Sequence, residues 1–199
     1  YKIRVTTGVR DSSGNSMNSQ FETSNGFTTL SYHSKGCRSQ NKIFVAVGDS
    51  GTILISSDGA SWTPKTSSNP QNLNQVFCAD NTIVAVGNSG SIQISSDNGN
   101  SWTSSSVPEV SNLYQVTHGN DTFVVVGGSG LIYTSSDNGS SWDSRTSSTS
   151  NQLNAVTYAN GTFVAVGKSG TILTSTDGNS WDNRTSWTSY SLNAVTYAN

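Results

Sequence analysis

One pattern occurs four times in this chain, and it constrains the fold more than any other feature. The stretches are KIFVAVGDSGTILISSDGASW (42–62), TIVAVGNSGSIQISSDNGNSW (82–102), TFVVVGGSGLIYTSSDNGSSW (122–142) and TFVAVGKSGTILTSTDGNSW (162–181). Glycines 48, 87, 127 and 167 each stand ten residues before an aspartate, namely Asp58, Asp97, Asp137 and Asp177. Each aspartate stands four or five residues before a tryptophan: Trp62, Trp102, Trp142 and Trp181. Fourteen residues after each tryptophan comes a valine (76, 116, 156, 195), and eleven residues after each of the first three valines comes the next glycine. Spacing this constant means that one backbone unit is built four times.

Local signals outline the unit. LNAVTYA (192–198) reads as a strand rich in β-formers. Asn160-Gly161 supplies hairpin-turn chemistry, with Asp80-Asn81 and Asn120-Asp121 as counterparts, because these residues tolerate positive φ. TFVAVG is a near-continuous apolar run, as a strand covered on both faces requires, and TILTS alternates like a strand with one wetter face. A short polar outer strand follows the Asp–Gly–Trp turn. Four antiparallel strands in about 40 residues predict an all-β fold, a β-propeller of four blades per chain, with a solenoid as the competing stacked-repeat architecture. No helix longer than a turn or two is expected.

The turns Ser95–Trp102 and Ser135–Trp142 resemble the Asp-box, or BNR repeat, S-x-D-x-G-x-x-W, and those at 56–62 and 175–181 are one residue shorter. The resemblance covers residues 41–199 and implies that the box joins the third and fourth strands of each blade. The aspartate then closes the turn by accepting backbone N–H bonds, the glycine adopts a backbone conformation other residues avoid, and the tryptophan packs between sheets. Asp58, Asp97, Asp137 and Asp177 are accordingly read as structural, with Trp62, Trp102, Trp142 and Trp181 buried beside them. Recurring once per blade, the aspartates are spread round a rim, whereas catalysis or metal binding needs them to converge.

Counting back from the second unit, the first strand of unit one should occupy 34–41. That stretch reads SKGCRSQN, a poor strand, while 192–199 is a good first strand with no second strand after it. Segment 192–199 is therefore expected to pair with 43–48 of the same chain or of a partner. A four-bladed ring, half of an eight-bladed homodimer and a piece of a longer propeller all remain open. Residues 1–29 carry no Asp-box. They resemble the last strands of a bacterial Ig-like domain, with a D-x-x-G-N turn at Asp11–Asn15, and are read as a vestige of such a domain or a linker hairpin ahead of propeller repeats in 30–199.

Net charge is −2 with 11% charged residues, so no basic stripe exists to neutralise phosphates, and nucleic acid is excluded as a partner. No apolar run is long enough to span a membrane. No secretory signal is visible at Tyr1, which fits a mature form or an excised piece. Cys37 and Cys78 are too few for a disulfide framework; two unpaired thiols are the expectation, with one bridge open in an oxidising compartment. His33 and His118 stand apart and complete no metal set. Neither metal nor cofactor is expected.

Asp-box propellers include sialidases, a resemblance that implies three arginines on a carboxylate, a Tyr–Glu pair and an aspartic acid/base. This chain has only Glu22 and Glu109, and Arg145 and Arg184 repeat between blades. A sialidase-type fragment thus ranks last and no enzyme is expected. Photosystem assembly factors carry similar VxVG and Asp-box repeats, which keeps an assembly or scaffold role as the alternative. The preferred reading is a recognition module of a bacterial surface or secreted protein, binding glycan or protein through one propeller face. Its extracellular address follows from the resemblance alone. Residues shared by every unit serve the fold, so function is sought in departures from the repeat. Trp187 and Tyr190 have no aromatic counterparts in the other loops; with Lys168 and Arg184 they form the candidate ligand site.

Overall fold

The computed structural model describes residues 3–5, 21–23, 42–79 and 81–198. Chain contacts divide it into two compact units, Tyr1–Tyr32 and His33–Asn199. In the first, strands β1 (Ile3–Val5) and β2 (Phe21–Thr23) pair antiparallel, with Ile3 opposite Thr23 and Val5 opposite Phe21. The turn expected at Asp11–Asn15 and the poor strand at 34–41 lie outside the described residues.

The second unit is a series of antiparallel sheets, each built from one sequence repeat. The first blade has β3 (Phe44–Val47), β4 (Ile53–Ser56) and β5 (Thr63–Lys65). The second has four strands: β6 (Leu73–Ala79), β7 (Thr82–Gly87), β8 (Ser91–Ser95) and β9 (Thr103–Ser106). The third has β10 (Leu113–Gly119), β11 (Thr122–Gly127), β12 (Ile132–Ser135) and β13 (Asp143–Arg145). The fourth has β14 (Leu153–Ala159), β15 (Thr162–Gly167), β16 (Ile172–Ser175) and β17 (Asp182–Arg184). Strands run in sequence order within every sheet, as hairpin connections dictate.

The hydrophobic core is three layers between blades. Ile53 of the first blade joins Leu73, Ile83, Ala85 and Trp102 of the second. Val84, Val86 and Ile92 of the second join Leu113, Phe123 and Tyr133 of the third. Val124, Val126 and Ile132 of the third join Leu153, Phe163 and Trp181 of the fourth. β7 is buried along its whole length because each face meets a neighbouring sheet, so its sequence, TIVAVG, is apolar throughout.

Polar contacts repeat the same step from blade to blade. A bulge in the first strand interrupts the register after Leu73 and after Leu153, and a bulge re-aims a side chain. The re-aimed Asn74 donates from Nδ2 to the carbonyl of Leu113, at 2.8 Å, and Asn154 does the same to Leu192 at 2.9 Å. Next to them, Gln75 Oε1 accepts from the N–H of Val116 at 3.0 Å and Gln115 Oε1 from that of Val156 at 2.7 Å. Ala155 occupies the corresponding place in the fourth blade and offers no such acceptor.

Three expectations need correction. Trp102 and Trp181 are buried, but Trp62 is 41% exposed. The tryptophan of a blade packs towards the preceding blade, and among the described residues no blade precedes the first. Segment 192–198 forms no strand and does not pair with 43–48 of the same chain. Finally, Cys78 is disulfide-bonded rather than a free thiol; the only other cysteine in the sequence is Cys37. His118, read as structural or solvated, is buried with its ring 4.5 Å from that of Phe123.

Candidate functional site

The four aspartates are closed into their own turns. In the third blade, Ser135 Oγ and the N–H of Ser141 donate to Asp137 Oδ1 at 2.7 and 2.9 Å, while Ser141 Oγ donates to Oδ2 at 2.6 Å. The Gly139 N–H turns back onto Ser135 Oγ at 2.8 Å. These donors, Ser141 foremost, stabilise the charged carboxylate and hold its pKa down at about 2. Asp58, Asp97 and Asp177 are lowered in the same direction, Asp97 chiefly by the Ser101 hydroxyl, Asp58 by the Ser61 and Asp177 by the Ser180 backbone N–H. Carboxylates engaged this way close their own turns. Trp62, Trp102 and Trp181 each donate Nε1–H to the carbonyl of their turn glycine, at 3.2, 3.1 and 2.8 Å.

The departures from the repeat fall on two adjoining loops of the fourth blade. Lys168-Ser169-Gly170 joins β15 to β16, with Ser169 and Gly170 both at positive φ. The other loop, 185–191, follows β17. Gly170 donates its N–H to the carbonyl of Tyr190 at 2.8 Å, which locks the two loops together. Ser186 Oγ donates to the carbonyl of Thr188 at 3.1 Å, and Thr188 Oγ1 accepts from the Tyr190 N–H at 3.1 Å. The loop is thus held by its own hydroxyls, not by its aromatic rings.

Those rings point to water: Trp187 is 94% exposed and Tyr190 is 82% exposed. Trp187 also sits at φ +57°, a left-handed conformation that bulky residues seldom adopt. Its equivalent in the third blade is Ser148, at the same φ. The Ser-x-Thr signal in SST and SWT was available in the sequence and marks this clamped turn (Ser147–Thr149 and Ser186–Thr188).

Lys168 is exposed on the adjoining turn. Arg184 is directed elsewhere. Its Nε donates to Thr174 Oγ1 at 2.8 Å and its guanidinium pairs with Asp182 at 3.0 Å, repeating the arrangement of Arg145 with Thr134 and Asp143. Trp187, Tyr190 and Lys168 therefore stand on two hydrogen-bonded loops, while Arg184 is bonded along the blade's outer edge. Among the described residues, no three His, Cys, Asp or Glu side chains gather in a way that could hold a metal ion. Among them, too, no helix is long and apolar enough to cross a membrane.

Serial antiparallel sheets with their core between blades define a β-propeller. The chain belongs to the family described as the DUF6242 beta propeller domain, whose profile matches residues 4–115, more than half of its length. No curated protein matches it in sequence. Among solved structures, it is similar to YCF48 bound to D1 peptide, at 22% identity and TM-score 0.57, covering 73% of this chain and 51% of that one. YCF48 from Cyanidioschyzon merolae is similar at 20% identity and TM-score 0.58, with coverage of 77% and 55%. AFV00434, an ancestral GH74 enzyme, is similar at 19% identity and TM-score 0.51, with coverage of 74% and 24%. The matched part of this chain thus spans about half the length of the YCF48 chains. At these identities the likeness is one of fold.

Proposed function

We propose that this chain is a non-catalytic recognition module, acting outside the cytoplasm or at a bacterial surface, that binds a glycan through the face carrying Trp187, Tyr190 and Lys168. The observation that carries the reading is Trp187, 94% exposed and held at φ +57° in a loop that does not need it for packing. A left-handed non-glycine residue costs on the order of 1–3 kcal/mol and collects at functional sites. Sugar rings stack their C–H faces on exposed indole and phenol rings, and the Lys168 ammonium donates to hydroxyl or acidic groups. The disulfide at Cys78 supports an oxidising compartment. Against hydrolysis stands the carboxylate inventory: the propeller repeats hold one glutamate, Glu109, and the four turn aspartates are already engaged.

A second reading, an assembly factor that binds a polypeptide, is favoured by the similarity to YCF48, a protein solved with a D1 peptide bound. A glycan array and a panel of extended peptides, probed in parallel, test the two. Glycan binding lost on Trp187→Ala with Tyr190→Ala supports the first reading. Peptide binding lost in the same variant supports the second, and binding that survives the double change removes both from this face.

A further inference from the structure

The turns that join β3 to β4, β7 to β8, β11 to β12 and β15 to β16 share one backbone. Ser50, Ser89, Ser129 and Ser169 hold the middle position at φ +55°, +54°, +54° and +55°. In the first two blades a side chain from the adjoining loop takes the N–H of that serine. Ser50 donates to Asn72 Oδ1 at 2.9 Å, and Ser89 donates to Asn112 Oδ1 at 3.2 Å. Asn72 and Asn112 each stand just before the first strand of the next blade.

The other two blades lack this bond. Gln152 holds the place in the third, but its Nε2 donates to Asn154 Oδ1 at 2.7 Å instead. Ser191 holds it in the fourth, because Leu192 donates its N–H to the Gly167 carbonyl at 2.9 Å, as Leu73 does to that of Gly48 at 3.0 Å. A serine lacks the amide oxygen that Asn72 and Asn112 supply. Among the described residues, neither the Ser129 nor the Ser169 N–H has an acceptor.

The surroundings of these two open donors differ. Gly128 precedes Ser129, whereas Lys168 precedes Ser169, in the position that Asp49 and Asn88 hold in the first two blades. Lys168 is exposed and has no ion-pair partner among the described residues. The adjoining loop of the fourth blade carries the exposed rings of Trp187 and Tyr190, where the third blade has Ser148 and Asn151. Among the described residues, the fourth blade alone combines an open N–H, a cation beside it and exposed rings on the loop bonded to the same turn.

We infer that the glycan bound here is an acidic one, whose carboxylate takes the place that the Asn72 and Asn112 side-chain oxygens hold in the first two blades. One oxygen accepts from the Ser169 N–H, and the Lys168 ammonium neutralises the group. This rests on the glycan reading above and names the class of sugar. The chain supplies its own template for the contact. An asparagine Oδ1 is a planar carbonyl-type oxygen, and a carboxylate offers the same shape together with the charge that Lys168 complements. A backbone N–H held in a fixed turn bonds an ionised acceptor more strongly than a neutral one. The first-blade turn is closed to such a ligand twice over, since Asn72 already fills it and Asp49 repels an anion.

The test titrates the 199-residue chain, by calorimetry, with oligosaccharides of a uronic acid, with the same oligosaccharides reduced at the carboxyl, and with neutral oligosaccharides bearing sulfate. The uronic form should bind about tenfold more tightly than the reduced form, as one hydrogen bond to a charged group provides. It should also shift the Ser169 amide resonance more than that of Ser129. Ser191→Asn installs the acceptor of the first two blades, so it should abolish the preference for the acid while the reduced form binds as before. Lys168→Gln should weaken binding of the acid, and it carries the test alone if Ser191→Asn alters the circular dichroism. Equal binding of the acidic and reduced forms overturns the inference and leaves the glycan reading standing. Failure of every oligosaccharide, here and on the array, removes both. An acid preference that survives the variants, or a stronger preference for the sulfated form, overturns the inference as well.

Discussion

Trp62 and Trp181 end turns of the same length, and each donates Nε1–H to its turn glycine, yet one is 41% exposed and the other 7%. The turn is therefore complete without its neighbour, while burial of the ring is supplied by another blade. The two LNAVTYA segments teach the same lesson for strands. β14 is a strand because β15 offers it an edge, and 192–198 has the same residues without one. In this molecule local hydrogen bonding belongs to the repeat, and strand formation and burial belong to the pair of repeats.

The comparison breaks most visibly at the tryptophans. Trp181→Ala should cost about 3–5 kcal/mol in chemical denaturation, as for a packed aromatic residue. Trp62→Ala, at a ring 41% exposed, should cost much less; equal losses would show that burial by a preceding blade is not what separates them. The glycines come next. Gly87→Ala drives a methyl group into the Asn72 carbonyl and should cost about 1–3 kcal/mol, the range for overpacking. Gly48→Ala meets nothing within 4 Å among the described residues and should leave the thermal midpoint near its parent value.

Acid titration sharpens the local half of the comparison. The carboxyl of Asp137 is held at about 2, below its ordinary 3.8, so its contribution to stability is present above pH 4 and lost as the pH falls towards 2. Asp137→Asn should flatten thermal stability across that window. Asp58→Asn should do so as well, although its blade is open, because both aspartates are bonded inside their own turns. The smallest effect on stability is expected from Trp187→Gly. Relief of the left-handed strain opposes the added freedom of glycine when unfolded, leaving the fold within about 1 kcal/mol of the parent. The same change should abolish ligand binding on the array.

What the sequence disclosed follows this division. Turn closure by Asp58, Asp97, Asp137 and Asp177 needs partners no more than four residues away, so its motif was legible. So was the apolar character of β7 and β11, which sit between sheets, and of β15, which has the same sequence pattern. The exposure of Trp62 was not legible, because it depends on which blade precedes the first. Nor does cysteine count fix connectivity, which is why the bond at Cys78 came from the structure. At the candidate site, the odd aromatics were visible as breaks in the repeat. The diversion of Arg184 to Thr174 and Asp182 required coordinates.

The side-chain bonds from Asn74 to Leu113 and from Gln75 to Val116 reach forward, from one blade to the next in sequence. The tryptophan turns reach back, as Gly139 does to Ile94. The arc thus has a polarity: the side-chain bonds point forward along the chain and the tryptophan turns point back. Unequal exchange between near-identical coding segments could add or remove a unit of about 40 residues at any interior junction without creating a mismatched surface, since neighbouring repeats are energetically coupled only to each other. Blade number can then drift in evolution while blade structure stays fixed.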